Sequence, residues 1–262
     1  MGDTVLVRYA EIGTKGNNRS MFENLLVENI QACLKAQGLP HTRIERRYGR
    51  IMAHMSTTPD LSKVFGIASY STAVAAGTTL DELNAEVAKH LTPFKTFRVT
   101  CYRMDKTFPI ESREVARQLG SFIVQKTGAK VSLETFDREF VVEILHGKFY
   151  FLLDKIDGPG GLPVGVEGTV LAYVDSKRAE EAALLTMKRG CAVVVLLPKK
   201  YNPSLLKSYA CGLQLKIVEG KDIDAVASKE NAKAVVVGDT LKEIHDYETT
   251  LPVFRPLVGG IA

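Results

Sequence analysis

Long hydrophobic runs are what this sequence most plainly lacks: none approaches the roughly 20 apolar residues that span a bilayer. The N-terminus has no charged-then-apolar leader pattern either. Both absences argue against insertion or export, so a cytoplasmic location without membrane contact is expected. Cysteine is scarce, with four residues (Cys33, Cys101, Cys191 and Cys211) and no C-x-x-C spacing. Each lies in or beside an apolar run, so buried free thiols are expected rather than disulfides or a zinc site. The five histidines are dispersed. No Ser/His/Asp or Cys/His arrangement has the spacing of a local catalytic signature, so no catalytic residue and no metal ligand is singled out. Charge of one sign is also in short supply: 34 Lys and Arg face 30 Asp and Glu, a net charge of +4. That excess does not announce nucleic acid by itself. It is uneven, however, at roughly +3, 0 and +1 when the chain is divided near Thr57 and Gly165.

What is present is a globular composition, 45% apolar and 24% charged, in 262 residues. That length has room for two or three modules with their own cores. Alternation predicts a strand over Thr4–Tyr9, followed by a glycine-containing loop over Glu11–Asn18. Ser20 and Glu23 have the S-x-x-E spacing of a capping box. The helix they open has Met21, Phe22, Leu25, Leu26, Ile30, Cys33 and Leu34 on its apolar face, and Gly38 fits its stop. Strands over Thr42–Arg47 and Arg50–Met55, joined at Tyr48-Gly49, complete a βαββ unit of about 55 residues. A unit so small is expected to dock on the next part of the chain.

Next, Val64-Phe65-Gly66-Ile67 reads as the end of a short helix leading into a strand over Ser69–Ala75. Leu80–Leu91 reads as an amphipathic helix, and Glu111–Lys126 as another with Val115, Leu119, Phe122 and Ile123 inward. Strands are predicted over Val131–Leu133, Phe140–Leu145 and Phe149–Leu153, the last two a hairpin with His146 as a turn residue. Phe97, Val99 and Cys101 alternate with Arg98, Thr100 and Tyr102, a half-buried strand. This strand is expected to deliver Arg98, Arg103 and Lys106 to its exit, beside a helix N-terminus where fixed positive charge and unpaired N–H groups suit an anion. Lys15, Asn18 and Arg19 occupy a similar loop-to-helix position, and Arg43, Arg46, Arg47 and Arg50 cluster on the β-hairpin.

The run F-R-V-T…R-x-D-K-x-F-P…S over residues 97–112 resembles the signature of the THUMP domain, an RNA-binding module. R-Y-A-E-I-G-T-K-G-x-N-R-x-x-F-E from Arg8 is similar to the opening of the tRNA 4-thiouridine synthetases (tRNA sulfurtransferases), departing at Ala10, where that family usually has glycine. V-F-G-I-x-S-Y-S from Val64 is also family-like. The resemblance implies a ferredoxin-like domain over 1–57, a THUMP α/β domain over 58–165 and a Rossmann-like, parallel-sheet third domain over 166–262. It implies tRNA as partner, with Lys15, Asn18, Arg19, Arg47, Arg50, Arg98, Arg103 and Lys106 as RNA contacts.

The third part opens at G-x-G-G-L-P-V-G-x-x-G from Gly158, which resembles the entry to the family's ATP-pyrophosphatase (PP-loop) domain. Strands are predicted over Thr169–Val174, Cys191–Leu197, Leu215–Val218 and Ala234–Val237, with helices over Ala179–Arg189 and Asp222–Ser228. In the family the first strand-to-helix turn is S-G-G-x-D-S, whose glycines bring backbone N–H groups against pyrophosphate. Here Val174, Asp175, Ser176, Lys177, Arg178 and Ala179 stand in its place. Both glycines are replaced, and Arg178 stands where the family has Asp. P-V-x-R-P-L-x-G near the end also matches the family, whose following segment with its active-site cysteine does not appear.

A degenerate, truncated nucleotide domain is expected, with no cofactor unless the altered loop still takes ATP and magnesium. The expected function is tRNA binding in tRNA modification, without adenylation by this chain. Two alternatives stay open: an active sulfurtransferase with a non-standard loop or partner-supplied sulfur, and an adaptor for a separate modifying enzyme. A homodimer is a further assembly open to it.

Overall fold

The computed structural model describes residues 4–9, 11–39, 43–47, 49–55 and 57–259. Ala10, Thr42 and Tyr48, on which parts of the sequence reading rest, lie outside them. The chain forms two compact units, each assembled from separated segments.

The first unit gathers the described residues of Met1–Val7, Thr42–Thr58 and Tyr70–Ile156. Its strands are β1 (Thr4–Arg8), β2 (Ile44–Arg47), β3 (Arg50–His54), β4 (Ser69–Ala75), β5 (Thr96–Arg103), β6 (Lys130–Val131), β7 (Arg138–Leu145) and β8 (Lys148–Leu152), with the two-residue β9 (Ile156–Asp157) following. They form one sheet in the order β2-β3-β1-β4-β8-β7-β5-β6. Helices α2 (Leu80–Ala88) and α3 (Ser112–Thr127) cover one face. There, Leu83, Val87, Val115, Leu119 and Ile123 pack on Phe97, Phe140, Phe149 and Phe151. Phe97 and Phe140 meet edge to face at 5.9 Å. A smaller core joins Leu6 and Met52 to Ala73, Leu145 and Leu152. The β7–β8 turn places His146 and Gly147 at φ of 48° and 70°, the left-handed pair of a tight hairpin.

The second unit gathers the described residues of Arg8–His41, Pro59–Ser69 and Asp157–Ala262. Helix α1 (Arg19–Ala36) accompanies a sheet of β10 (Thr169–Tyr173), β11 (Ala192–Leu197), β12 (Lys216–Glu219), β13 (Val235–Val236) and β14 (Val253–Phe254). The order is β12-β11-β10-β13-β14, every pair parallel. Helices α4 (Lys177–Lys188), α5 (Ser204–Ala210) and α6 (Ile223–Lys229) connect them. Val170, Ala172 and Val195 face α4, while Leu171, Val194 and Leu196 face Ile223 and Ala227 of α6. Burial on both faces explains why β11 reads as a continuous apolar run.

Several local expectations are corrected. Ser20 and Glu23 do not form a capping box: α1 begins at Arg19 and its N-cap, Asn18, makes no side-chain cap bond. The helix starts early because Glu23 turns to the Tyr9 hydroxyl and the Arg19 guanidinium. Its other end is as expected, with Gly38 at φ 68° and Leu39 N–H donating to Leu34 C=O. Residues 61–67 form turns rather than a helix end. Strand β6 is two residues long, and α5 and β14 were not foreseen. The free-thiol expectation fails for two cysteines: Cys33 and Cys211 form a disulfide with Cα atoms 4.7 Å apart, leaving Cys101 and Cys191 free. The pair, separated by 178 residues, meets because the chain at Gly212 lies directly on α1. A Cβ added at Gly212 would fall 2.1 Å from the Ala32 carbonyl oxygen.

Candidate nucleic-acid interface and the altered loop

The first unit places the candidate cations of β5 at different ends of the strand. Arg98 lies near its start, held by Glu139 at 2.8 Å and stacked 4.2 Å from the Phe136 ring centroid. Arg103 lies at the exit, donating to Phe108 C=O at 3.4 Å. At about 3.3 Å per residue the five-residue offset is about 16 Å, on opposite strand faces. Lys106 is exposed and lines a cleft of about 460 Å³ with Met104, Asp105, Thr107, Leu145 and His146. Asp105 shapes this cleft, accepting from Thr107 N–H at 3.0 Å and Gly147 N–H at 3.1 Å. Those bonds, the Thr107 hydroxyl's first, hold its carboxyl below the usual range.

The hairpin tip comes close to this end of β5: a Cβ at Gly49 would lie 2.8 Å from Met104 Cε. Arg50 is nonetheless turned inward. Its Nε meets Glu143 at 2.7 Å, and the two side chains are 12% and 0% exposed. Arg47 pairs with Glu45, which also holds Arg43. The structure thus brings Arg103 and Lys106 near the tip, and engages Arg50 and Arg98 with carboxylates.

In the second unit Lys15 sits 4.9 Å over the Phe22 ring, and Asn18 is exposed. Arg19 donates to the Tyr9 hydroxyl at 2.7 Å and to Glu23 at 2.8 Å. Burial, joined by the Glu23 hydrogen bond, pushes the Tyr9 hydroxyl up to about 12.

The loop after β10 forms an ordinary helix start. Ser176 is the N-cap of α4, its Oγ accepting from Ala179 N–H at 3.4 Å. Arg178 pairs with Glu243 at 2.5 Å, and Asp175 faces Lys199 at 3.7 Å. On the β13 side the Gly238 backbone is pressed against this first turn, where an added Cβ would fall 2.6 Å from Ala179 N.

One cluster carries no sequence signature. Asp239, just past β13, is buried and accepts from His245 Nδ1 at 3.0 Å, His245 N–H at 3.0 Å, the Tyr247 hydroxyl at 2.9 Å and Arg255 Nε at 3.0 Å. Burial opposes its charge, but these donors outweigh burial and hold the carboxyl below its usual value. His245 also lines an open cleft of about 700 Å³ with Tyr173, Asp175, Lys221, Asp222 and Tyr247. Only the position of an Asp at the carboxyl end of a parallel strand could have pointed there.

Comparison with known proteins places this arrangement. The ThiI ferredoxin-like domain matches residues 4–71 and the THUMP domain residues 79–154. A protein of Thermococcus kodakarensis named "Probable tRNA sulfurtransferase" is 30% identical, over 99% of this chain and 84% of its own. The chain belongs to the tRNA sulfurtransferase family. A member from Moorella thermoacetica is also 30% identical, over 99% of this chain and 80% of its own. The Thermococcus alignment extends over 323 residues, so that family member carries stretches with no counterpart here.

Among solved structures, PH1313 from Pyrococcus horikoshii Ot3 superposes with a TM-score of 0.89 at 30% identity, covering 99% of this chain and 95% of its own. A 4-thiouridine synthetase, solved as an RNA complex with bound ATP, superposes at 0.78 with 21% identity over 99% of this chain and 82% of its own, and shares the family fold.

Proposed function

We propose that this protein binds tRNA and acts in tRNA modification without adenylating its substrate. Membership of the sulfurtransferase family, with a THUMP domain at residues 79–154, supports the tRNA partner. The contacts proposed are Lys15, Asn18 and Arg19 in one unit and Arg47, Arg50, Arg98, Arg103 and Lys106 in the other. Within the latter set, Arg103 and Lys106 carry no carboxylate pair among the described residues, while Arg50 and Arg98 approach RNA from their pairs with Glu143 and Glu139. Recognition rests on backbone shape and charge more than on base edges.

The observation carrying the absence of adenylation is the start of α4. Phosphate cradles need backbone N–H groups open to the ligand. Here Ser176 takes one of them, and the Gly238 backbone covers Ala179. A first turn capped by its own serine and covered at Ala179 supports a loop Val174–Ala179 that no longer cradles a nucleoside triphosphate. On this reading the third part, from 166 onward, serves as scaffold or RNA contact.

The test is a tRNA titration at two salt concentrations, with intact tRNA and tRNA trimmed of its 3′ single strand, with and without ATP and magnesium. End-dependent binding indifferent to ATP is expected. Arg103→Ala and Lys106→Ala should each weaken all tRNAs alike and reduce the salt slope by about one. ATP-dependent AMP release on tRNA would overturn it. A second reading, an active sulfurtransferase with a changed loop, is favoured by the open cleft around Tyr173, Asp175 and His245, which leaves room for a small molecule. Loss of 4-thiouridine from cells lacking the gene, restored only by an intact Asp175–Arg178 loop, would establish that reading.

A further inference from the structure

Strand β5 is paired along its length on one side only. β7 covers that side from Phe97 to Arg103, and Met104 N–H continues the pattern by donating to Ile144 C=O. On the other side β6 pairs with Thr96 and Phe97 and then ends. Lys130 and Ser132 donate their N–H groups to Lys95 and Phe97 C=O. Alternate residues of a strand point their backbone groups to the same side. Those of Val99, Cys101 and Arg103 therefore continue the line that β6 begins. Among the described residues nothing pairs with them on that side.

Beside this open edge, a groove of about 680 Å³ runs between β5 and α3. Its walls are mainly apolar: Phe97 and Val99 from the strand, Ala116 and Val124 from the helix, Val131 and Leu133 from the segment after it. Val124, Val131 and Leu133 are 38%, 54% and 69% exposed. Gly120 leaves the middle of the groove clear, with the nearest atom to an added Cβ being Val99 Cγ2 at 3.9 Å. Arg113 also lines the groove and makes no ion pair among the described residues. Arg117, Ser121 and Gln125 complete the lining, with Arg117 paired to Glu114 at 2.6 Å.

We propose that this edge takes up an extended peptide segment of a partner protein as an added strand continuing β6. Its apolar side chains at alternate positions enter the groove, and a carboxylate faces Arg113. Main-chain hydrogen bonds to Val99, Cys101 and Arg103 hold the peptide, and the groove selects its side chains, the division of labour of strand addition beside a helix. The proposal goes beyond tRNA binding and does not depend on it.

The probe is a synthetic peptide alternating valine and threonine, with one groove-facing valine replaced by glutamate to meet Arg113, added to the full chain and followed by amide hydrogen exchange. The same peptide with lysine in place of that glutamate, and the glutamate peptide N-methylated on alternate residues, are compared. Saturable binding with exchange slowed about tenfold or more at Val99, Cys101 and Arg103 is expected, weaker with the lysine peptide and lost on N-methylation. Gly120→Leu should fill the groove and abolish binding. Leu133→Asp, at an exposed position that leaves folding intact, should weaken it about tenfold by repelling the acidic peptide. Unchanged exchange at these amides under saturating peptide would overturn the proposal, as would equal binding of the N-methylated form. Protection of Val99 and Cys101 by tRNA, or of all three amides by raised protein concentration alone, would assign the edge to RNA or to a second copy and equally overturn it.

Discussion

Two buried carboxylates show how a single charge is held. Glu143 is fully buried and accepts from Arg50 Nε at 2.7 Å, with Arg50 itself only 12% exposed. Removing one partner of such a pair strands the other in a poorly solvating interior. Arg50→Ala should therefore cost about 3–5 kcal/mol in urea unfolding, and replacing both residues by apolar ones should cost less. Asp239 is held by several donors, among them the His245 imidazole at 3.0 Å. The hydrogen bond to Asp239 raises the His245 pKa above its ordinary 6.5. A raised pKa means the stabilisation is fully present below the unfolded value of 6.5 and fades as pH rises through the folded one. The stability difference between wild type and His245→Ala should thus be largest at pH 5–6 and shrink toward pH 8–9, read by denaturation across a pH series. The depressed Asp239 carboxyl acts at the other end. Its contribution is present above the unfolded value of 3.8 and lost as pH falls through the folded one.

At the scale of elements, short-range chemistry decides more at some ends than at others. α2 carries a full capping box: Thr79 Oγ1 accepts from Glu82 N–H at 3.3 Å, and the Glu82 carboxylate accepts from Thr79 N–H at 2.9 Å. Thr79→Ala should cost about 1 kcal/mol, measured as a shift of the denaturation midpoint. At α1 the equal-looking Ser20–Glu23 spacing forms no box, because Tyr9 and Arg19 recruit Glu23. Strands β5 and β11 could be read directly, one from alternation and the other from its unbroken apolar run. Helix α5 could not, since its seven residues are too few for a periodic pattern to stand out. The convergence of Arg98 with Arg103 and Lys106 failed for a related reason: a strand spreads its residues along its axis, and Glu139 holds Arg98 at the far end.

At the scale of the whole molecule, the disulfide joins two segments of the second unit across 178 residues of chain, a loop that takes in Thr42–Thr58 and Tyr70–Ile156 of the first. Constraint of the unfolded chain over that length is worth on the order of 4–5 kcal/mol. Reductant should lower the midpoint of thermal unfolding markedly, while Cys33→Ser/Cys211→Ser should melt at one temperature with or without reductant.

The sequence by itself determined the family, the α/β class, most strands and helices, and the unusual loop at Val174–Ala179. These are written in local periodicity and in contiguous motifs, where neighbours in the chain are neighbours in space. Only the tertiary structure decided that Cys33 meets Cys211, that Arg50 serves the buried Glu143, and that Asp239 gathers His245, Tyr247 and Arg255. Each of these is a contact between residues that chain connectivity leaves free. Which of them form is settled by how helices and sheets bury their apolar faces, a property of the packed molecule that no local stretch of sequence records.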